Sequence, residues 1–335
     1  MIRVVPYSPE YYELWENFVA ESNNGTLFHR LKFLDYHPEN RFAFHHLLFF
    51  QREKLVAVLP AALTEENTCL ESPIGASYGG LVVKDMKYHE HEPIVDALTN
   101  YAVSSGLTKI RLTTAPFIYQ KKLTQNLDYA LAYKGYHFER HYISHAIPLE
   151  QTSDFTAHFS PTARRYIHQC ERNQDLIVEL AQNQKGFEEF YPILLENKAR
   201  HNAKPTHTFE EILRLKEFFP NSIHLFLVRY KGKAIGGSLL FDSNEQVTLC
   251  FYNMLLYEFN YLHPIHYVMD KVTKWAIQRK FRYVDIGVSQ NTAAENQMTP
   301  AYSLIEFKEK FCSTGILRST FIKHFNNTDR SNKLW

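Results

Sequence analysis

The chain uses one order of elements twice. Residues 223–230 read as a strand, the turn Lys231-Gly232-Lys233 follows, and 234–241 and 246–254 read as two more strands. After a polar and aromatic loop come an amphipathic helical stretch over 264–279 and a strand over 283–288. The first half has the same sequence of events. A strand over 42–50, the charged turn Arg52-Glu53-Lys54, a strand over 55–63 and a strand-like run over 69–83 precede a helical stretch over 92–104 and a strand over 109–114. A β-β-β-α-β plan used twice predicts an α/β chain of two related domains, with their junction as the natural place for a binding site. At 335 residues the chain is long for one core, and the expected domains are residues 1–150 and 151–330.

Composition narrows the function. A hydrophobic fraction of 45% and a charged fraction of 22% are those of an ordinary globular protein. The net charge of +1 gives nucleic acid little general attraction. The 25 Phe and 21 Tyr can fill large cores and line a groove. The 17 His are scattered: His263 and His266 are three apart and His45-His46 adjacent, but neither pair has a third ligand at metal spacing, so no metal site is expected. Cys69, Cys170, Cys250 and Cys312 lie far apart, form no CxxC, and read as reduced thiols of a cytoplasmic protein. Residues 1–12 carry charges and Pro6, unlike a secretory signal, and no apolar run reaches 18 residues. Contact with a membrane surface stays open, because Phe and Tyr clusters can face lipid.

Local signals place the candidate residues. Ser160-Pro161 is a helix start, and Arg165, His168 and Arg172 then share a face of that helix. Arg164 and Arg165 are suited to clamping a carboxylate or phosphate, or form a basic face balanced by Glu171 and Asp175. The helix over 186–200 starts or breaks near Pro192 and leads to Arg200-His201 in a polar loop. His201 could take a proton from an attacking ammonium group; an ordinary helix-end cap is the competing account. Thr208 and Glu211 form a capping box for the next helix. Asp285 is a carboxylate in an apolar strand, which is costly unless paired, and strand alternation puts Gly287 on its face. It would orient a base, accept a proton, or pair with Arg282 or a lysine. Lys308, in Glu-Phe-Lys-Glu-Lys-Phe, could neutralise a phosphate or oxyanion or belong to a solvated charge run. Tyr252 could protonate a leaving thiolate or be a core aromatic. The stretch 72–80, Ser-Pro-Ile-Gly-Ala-Ser-Tyr-Gly-Gly, is a poor regular strand that permits close backbone approach and fits no phosphate-binding fingerprint.

Taken in order, Gly25 to His29 with Phe28, Tyr78-Gly79-Gly80, Arg164-Arg165, Arg200-His201 with Pro205 and His207, Ile235-Gly236-Gly237, Asp285-Ile286-Gly287 and Phe307-Lys308 with Phe311 resemble the FemAB-like, BioF2-like (CelD-like) branch of the Gcn5-related N-acyltransferase (GNAT) superfamily. The resemblance runs from Trp15 to about Phe325. It implies two tandem GNAT-like domains, each a mixed, largely antiparallel sheet flanked by helices. The first would shape the acceptor side and the second would bind the donor and hold the chemistry. The implied activity is acyl or aminoacyl transfer to an amine of a small-molecule or cell-envelope precursor. Asp285, His201, Lys308 and Tyr252 would be the catalytic residues. Arg164, Arg165, Arg200, Tyr78 and Phe28 would contact substrate. The donor would lie between the strands over 246–254 and 283–288, with Gly237 and the helix start at Tyr261, His263, Ile265 and His266 around it. No tightly bound cofactor is implied; the co-substrate would be acyl-CoA or an acyl carrier protein. The loop over 255–264 lacks the glycines that wrap a pyrophosphate, which leaves an acyl carrier protein or an aminoacyl-tRNA as alternatives to coenzyme A. Without a coiled-coil arm and at a net charge of +1, a thioester is favoured over tRNA. A degenerate fold that only binds is the remaining alternative.

Overall fold

The computed structural model describes residues 1–150, 154–181, 183–200, 202–291 and 294–325. The chain forms two compact units, one of residues 1–142 with the described segment 317–325, the other Ile143–Ile316.

In the first unit, β1 (Ile2–Pro6), β2 (Leu47–Gln51), β3 (Lys54–Leu59) and the two-residue β6 (Val82–Val83) form one antiparallel sheet. β4 (Ala62–Thr64), β5 (Cys69–Ser72), β7 (Lys109–Thr113) and the end of β14 (Thr314–His324) form a second ladder, in which β5 and β7 run parallel. Helices α1 (Tyr12–Glu21), α2 (Leu31–Leu34), α3 (Tyr88–Ser104) and α4 (Asn126–Tyr133) surround these ladders. The continuous run over 55–63 divides at Pro60, which has no N–H for a ladder, and the run over 69–83 divides where Gly79 passes the chain. A Cβ on Gly79 would lie 2.4 Å from the Ser72 hydroxyl and 2.6 Å from the Pro73 nitrogen. α3 and α4 bury Ile94, Leu98, Leu127 and Leu131 against Phe49, Leu59, Ile110 and Leu112.

The second unit follows the repeated plan closely. The final residues of β8 (His137–Pro148) pair with β13 (Tyr283–Val288), and the ladder continues through β12 (Val247–Leu255), β11 (Lys233–Asp242), β10 (Ile223–Tyr230) and β9 (Leu176–Leu180). All these pairs are antiparallel except β12 with β13. The helices are α5 (Pro161–Arg172), α6 (Gln184–Ala199), α7 (Phe209–Phe218), α8 (Pro264–Gln278) and α9 (Tyr302–Glu309). α5 begins as its sequence predicts: the Ser160 hydroxyl accepts the Ala163 N–H at 3.2 Å. The Thr208–Glu211 capping box forms with both reciprocal bonds, 2.8 and 3.2 Å. α6 runs unbroken through Pro192, which sits on its exposed face and costs one main-chain bond there. α8 buries Ile265, Val268, Met269, Val272 and Ala276 against Phe226, Val228, Leu240 and Cys250. No helix among the described residues is long and apolar enough to cross a membrane.

Candidate active site

The site of the second unit begins with two strands that part. β12 and β13 pair in parallel only through Val247↔Tyr283, Thr248↔Val284 and Leu249↔Asp285. Each strand is bulged just beyond that point. On β12, the register to β11 skips Phe251 between Cys250 and Tyr252. On β13, Asp285 faces Ala146 and Val288 faces Ser144, so two residues oppose one, and Gly287 takes a φ of +77°. A bulge bends its strand and sharpens the local twist, which turns the two ends away from each other. The bulge also corrects the alternation argument. Asp285 and Gly287 do not simply share a face, because the left-handed Gly287 turns its N–H back to the Asp285 carboxylate at 2.7 Å.

Around the bulge lies a buried polar network. Asp285 is fully buried and also accepts the Ser144 hydroxyl at 3.0 Å. Lys308 reaches in from α9 and is 7% exposed. Its ammonium donates to the carbonyls of Gly287 and Val288, each at 2.8 Å, and to the Ser289 hydroxyl at 2.9 Å. Three N–H donors therefore meet three acceptors, and the lysine clamps the bulge open. The Ser289 hydroxyl sits 2.8 Å from Nδ1 of His145, itself 1% exposed. Because Ser289 accepts from Lys308, its own proton is directed to His145, whose Nδ1 is then the unprotonated nitrogen. Burial lowers the Lys308 ammonium to about 8, against the attraction of Asp285. Burial, then the Lys308 charge, lowers His145 and keeps it neutral.

Residues 157–297 match the family model for an acetyltransferase (GNAT) domain. That stretch is a GNAT-type domain, and the chain as a whole has a tandem GNAT-like fold. The crystal structure of FemX superposes with a TM-score of 0.71 at 12% identity, covering 97% of this chain and 98% of that one. L-PGS from Bacillus licheniformis gives 0.60 at 10% identity, over 97% and 94% of the two chains. A tandem GNAT protein from the clavulanic acid biosynthesis pathway gives 0.55 at 9% identity, over 97% and 98%. The sequence finds no match among curated proteins. At these identities the structural likenesses establish the fold.

The residues expected on the donor side take up varied positions in this domain. His263 is the N-cap of α8, in left-handed conformation at φ +53°, and Tyr166 of α5 stacks on its ring at 3.5 Å. The Arg165 guanidinium lies over Tyr166 at 5.1 Å and, after burial, is the second cause that lowers the His263 pKa. His266 is enclosed by Tyr166, Phe307 and Phe311, and burial pushes it down to about 4. Ile265 belongs to the core, while Tyr261 is 66% exposed. Gly237 is needed for packing: a Cβ there would stand 2.4 Å from the Phe226 carbonyl and 3.2 Å from the Phe190 ring.

The remaining candidates separate clearly. Tyr252 is 2% exposed, and its hydroxyl accepts the N–H groups of Thr206 at 3.0 Å and His207 at 3.3 Å. It ties down the 206–207 loop, with His207 Nδ1 3.1 Å away for its proton. Arg200 is exposed at the end of α6, its guanidinium 4.3 Å from the Tyr257 ring centroid. Arg165, His168 and Arg172, which share a face by their spacing, line a shallow groove along α5 together with Arg164. His201 lies outside the described residues. Phe28 and Tyr78 are 1% and 2% exposed in the first unit, packed edge to face at 5.6 Å. Of the four catalytic candidates, Asp285 and Lys308 meet at Gly287, one through its N–H and the other through its carbonyl. Sequence reasoning missed Ser144, His145 and Ser289. Their signal was a Ser-His pair inside the apolar run Ile143 to Ile147, and a serine directly after β13.

Proposed function

We propose that the chain transfers an acyl group from an acyl thioester, acyl-CoA or an acyl carrier protein, to an amine of a small-molecule or cell-envelope precursor. The observation that carries this reading is the parted end of β12 and β13, with a buried lysine and a buried carboxylate at its bulge. An acyl chain laid in such a gap adds to the sheet, with its carbonyl near the bulge. The amine nitrogen attacks the carbonyl carbon, the C–S bond breaks, and the thiolate leaves with a proton. Lys308 would give one N–H to the developing oxyanion, exchanging it from a main-chain carbonyl. Asp285 or His201 would take the ammonium proton. Arg164, Arg165 and Arg200 would hold anionic groups of the donor or acceptor. Tyr252 serves this reading by fixing the 206–207 loop. The reaction needs no covalent enzyme intermediate and no tightly bound cofactor, and would take place in the cytoplasm, on a soluble or membrane-surface precursor.

One observation favours a second donor. The Tyr166–His263 stack sits at the α8 N-cap, and the loop before it has no glycine to wrap a pyrophosphate. An aminoacyl donor such as aminoacyl-tRNA makes no such demand, and one fold neighbour is the C-terminal domain of a putative lysylphosphatidylglycerol synthetase. The test is mass spectrometry of the purified chain with acyl-CoAs, acyl carrier protein and aminoacyl-tRNAs against a panel of amines. Transfer from a thioester that Lys308→Met abolishes supports the first reading. Transfer only from aminoacyl-tRNA supports the second, and inactivity with every donor would mean a binding protein.

A further inference from the structure

The first unit contains a polar crevice that the proposed transfer does not use. It opens where β6 ends and the chain leaves β7, beside the first turns of α3 and α4, and its lining includes Asn24, His91, Thr114, Gln120, Thr124 and Asp128. Its walls are stapled in place. Asn24 accepts the Val83 N–H and donates to the Leu81 carbonyl, both at 2.8 Å. Asn23 does the same to the two main-chain groups of Lys122, at 2.8 and 3.0 Å. The Gln120 side chain accepts the Thr124 N–H at 2.8 Å. These amides fix the shape of the crevice.

Two side chains there offer acceptors to the crevice. His91 is 2% exposed, and its Nδ1 lies 3.0 Å from the Lys87 carbonyl. A carbonyl only accepts, so Nδ1 carries the proton and Nε2 presents a lone pair. Burial lowers the His91 pKa, which keeps that lone pair available. The second acceptor is the carboxyl of Asp128, in the first turn of α4. No cation among the described residues pairs with it, and burial raises it to about 6. The nearby lysines are committed elsewhere: Lys84 to Glu21 at 2.6 Å and Lys122 to Asp85 at 3.1 Å. A carboxylate and an imidazole lone pair in a narrow, pre-shaped crevice ask for a compact cation with several N–H donors. An alkylammonium head meets that description. A metal ion does not, since no group of three His, Cys, Asp or Glu ligands occurs among the described residues.

We propose that this crevice binds the head group of a small primary amine, with Asp128 as counter-ion and His91 Nε2 as acceptor. The inference is independent of the transfer reaction. It is tested on the full chain with ethanolamine as probe, by thermal denaturation and by ¹H–¹⁵N NMR titration at pH 7.5. Ethanolamine should raise the melting temperature with dose and shift the amides of residues 23–24, 91 and 124–128. Tetramethylammonium, which carries the charge without N–H groups, should do neither. Asp128→Asn removes a half-buried carboxylate that has no cationic partner among the described residues and should fold at least as well as the parent, yet bind ethanolamine at least tenfold more weakly. His91→Gln should weaken binding several-fold. The proposal is overturned if ethanolamine has no effect on the parent, if tetramethylammonium reproduces it, or if Asp128→Asn binds as the parent does.

Discussion

Replacing Ser289 by alanine isolates the electrostatics of the bulge. The Ser289 hydroxyl is one of three acceptors on the Lys308 ammonium, which burial has already lowered to about 8 from 10.5. A hydrogen bond to a charged group is worth about 1.5–3 kcal/mol. Each pH unit corresponds to about 1.4 kcal/mol, so losing that acceptor should lower the lysine by a further one to two pH units. Lys308, mostly charged at neutral pH in the parent, would be about half to nine-tenths neutral at pH 7 in Ser289→Ala. Stability follows with a definite sign. Between the folded and unfolded values the unfolded chain holds a proton that the folded chain has released, so stability rises with pH across that window. In the parent the rise runs from about 8 to 10.5 and amounts to about 3 kcal/mol. In Ser289→Ala it should begin one to two pH units lower and be correspondingly larger. The assay is NMR titration of chains labelled with [ε-¹³C]lysine, with the Lys308 signal assigned by its loss in Lys308→Arg, alongside urea unfolding at several pH values. An unmoved or raised Lys308 midpoint in a folded Ser289→Ala protein would refute the reasoning. It would mean that the two carbonyls of the bulge hold the ammonium unaided.

Two structural predictions are independent of the reaction. Gly237→Ala forces a methyl against the Phe226 carbonyl at 2.4 Å and should cost about 1–3 kcal/mol in urea unfolding. Tyr252→Phe leaves the N–H groups of Thr206 and His207 without their phenol acceptor. It should cost about 1–3 kcal/mol and speed amide exchange at those two residues; unchanged exchange would show that the loop is held by something else.

The repeat was readable because each strand and helix keeps its own period, and local caps such as Ser160 and Thr208–Glu211 depend only on neighbours in sequence. The geometry of the candidate site was less readable because it depends on a break in period. Alternation placed Asp285 and Gly287 on one face, and that rule fails where a glycine at φ +77° inserts an extra residue. Lys308 shows the same limit in a different way. Its sequence, with charges on both sides, reads as a solvated run, yet α9 turns Lys308 inward while Glu306 and Glu309 are left exposed. Only the carbonyls freed by the bulge make that burial tolerable, since they give the ammonium the acceptors that water would have supplied. Bulge and lysine are therefore one feature: a regular β13 would keep its carbonyls in the ladder, and Lys308 would have nothing to bind. The parted strands and the charge that marks them consequently arise from the same few residues, Asp285 to Ser289, which neither helix nor strand periodicity can describe.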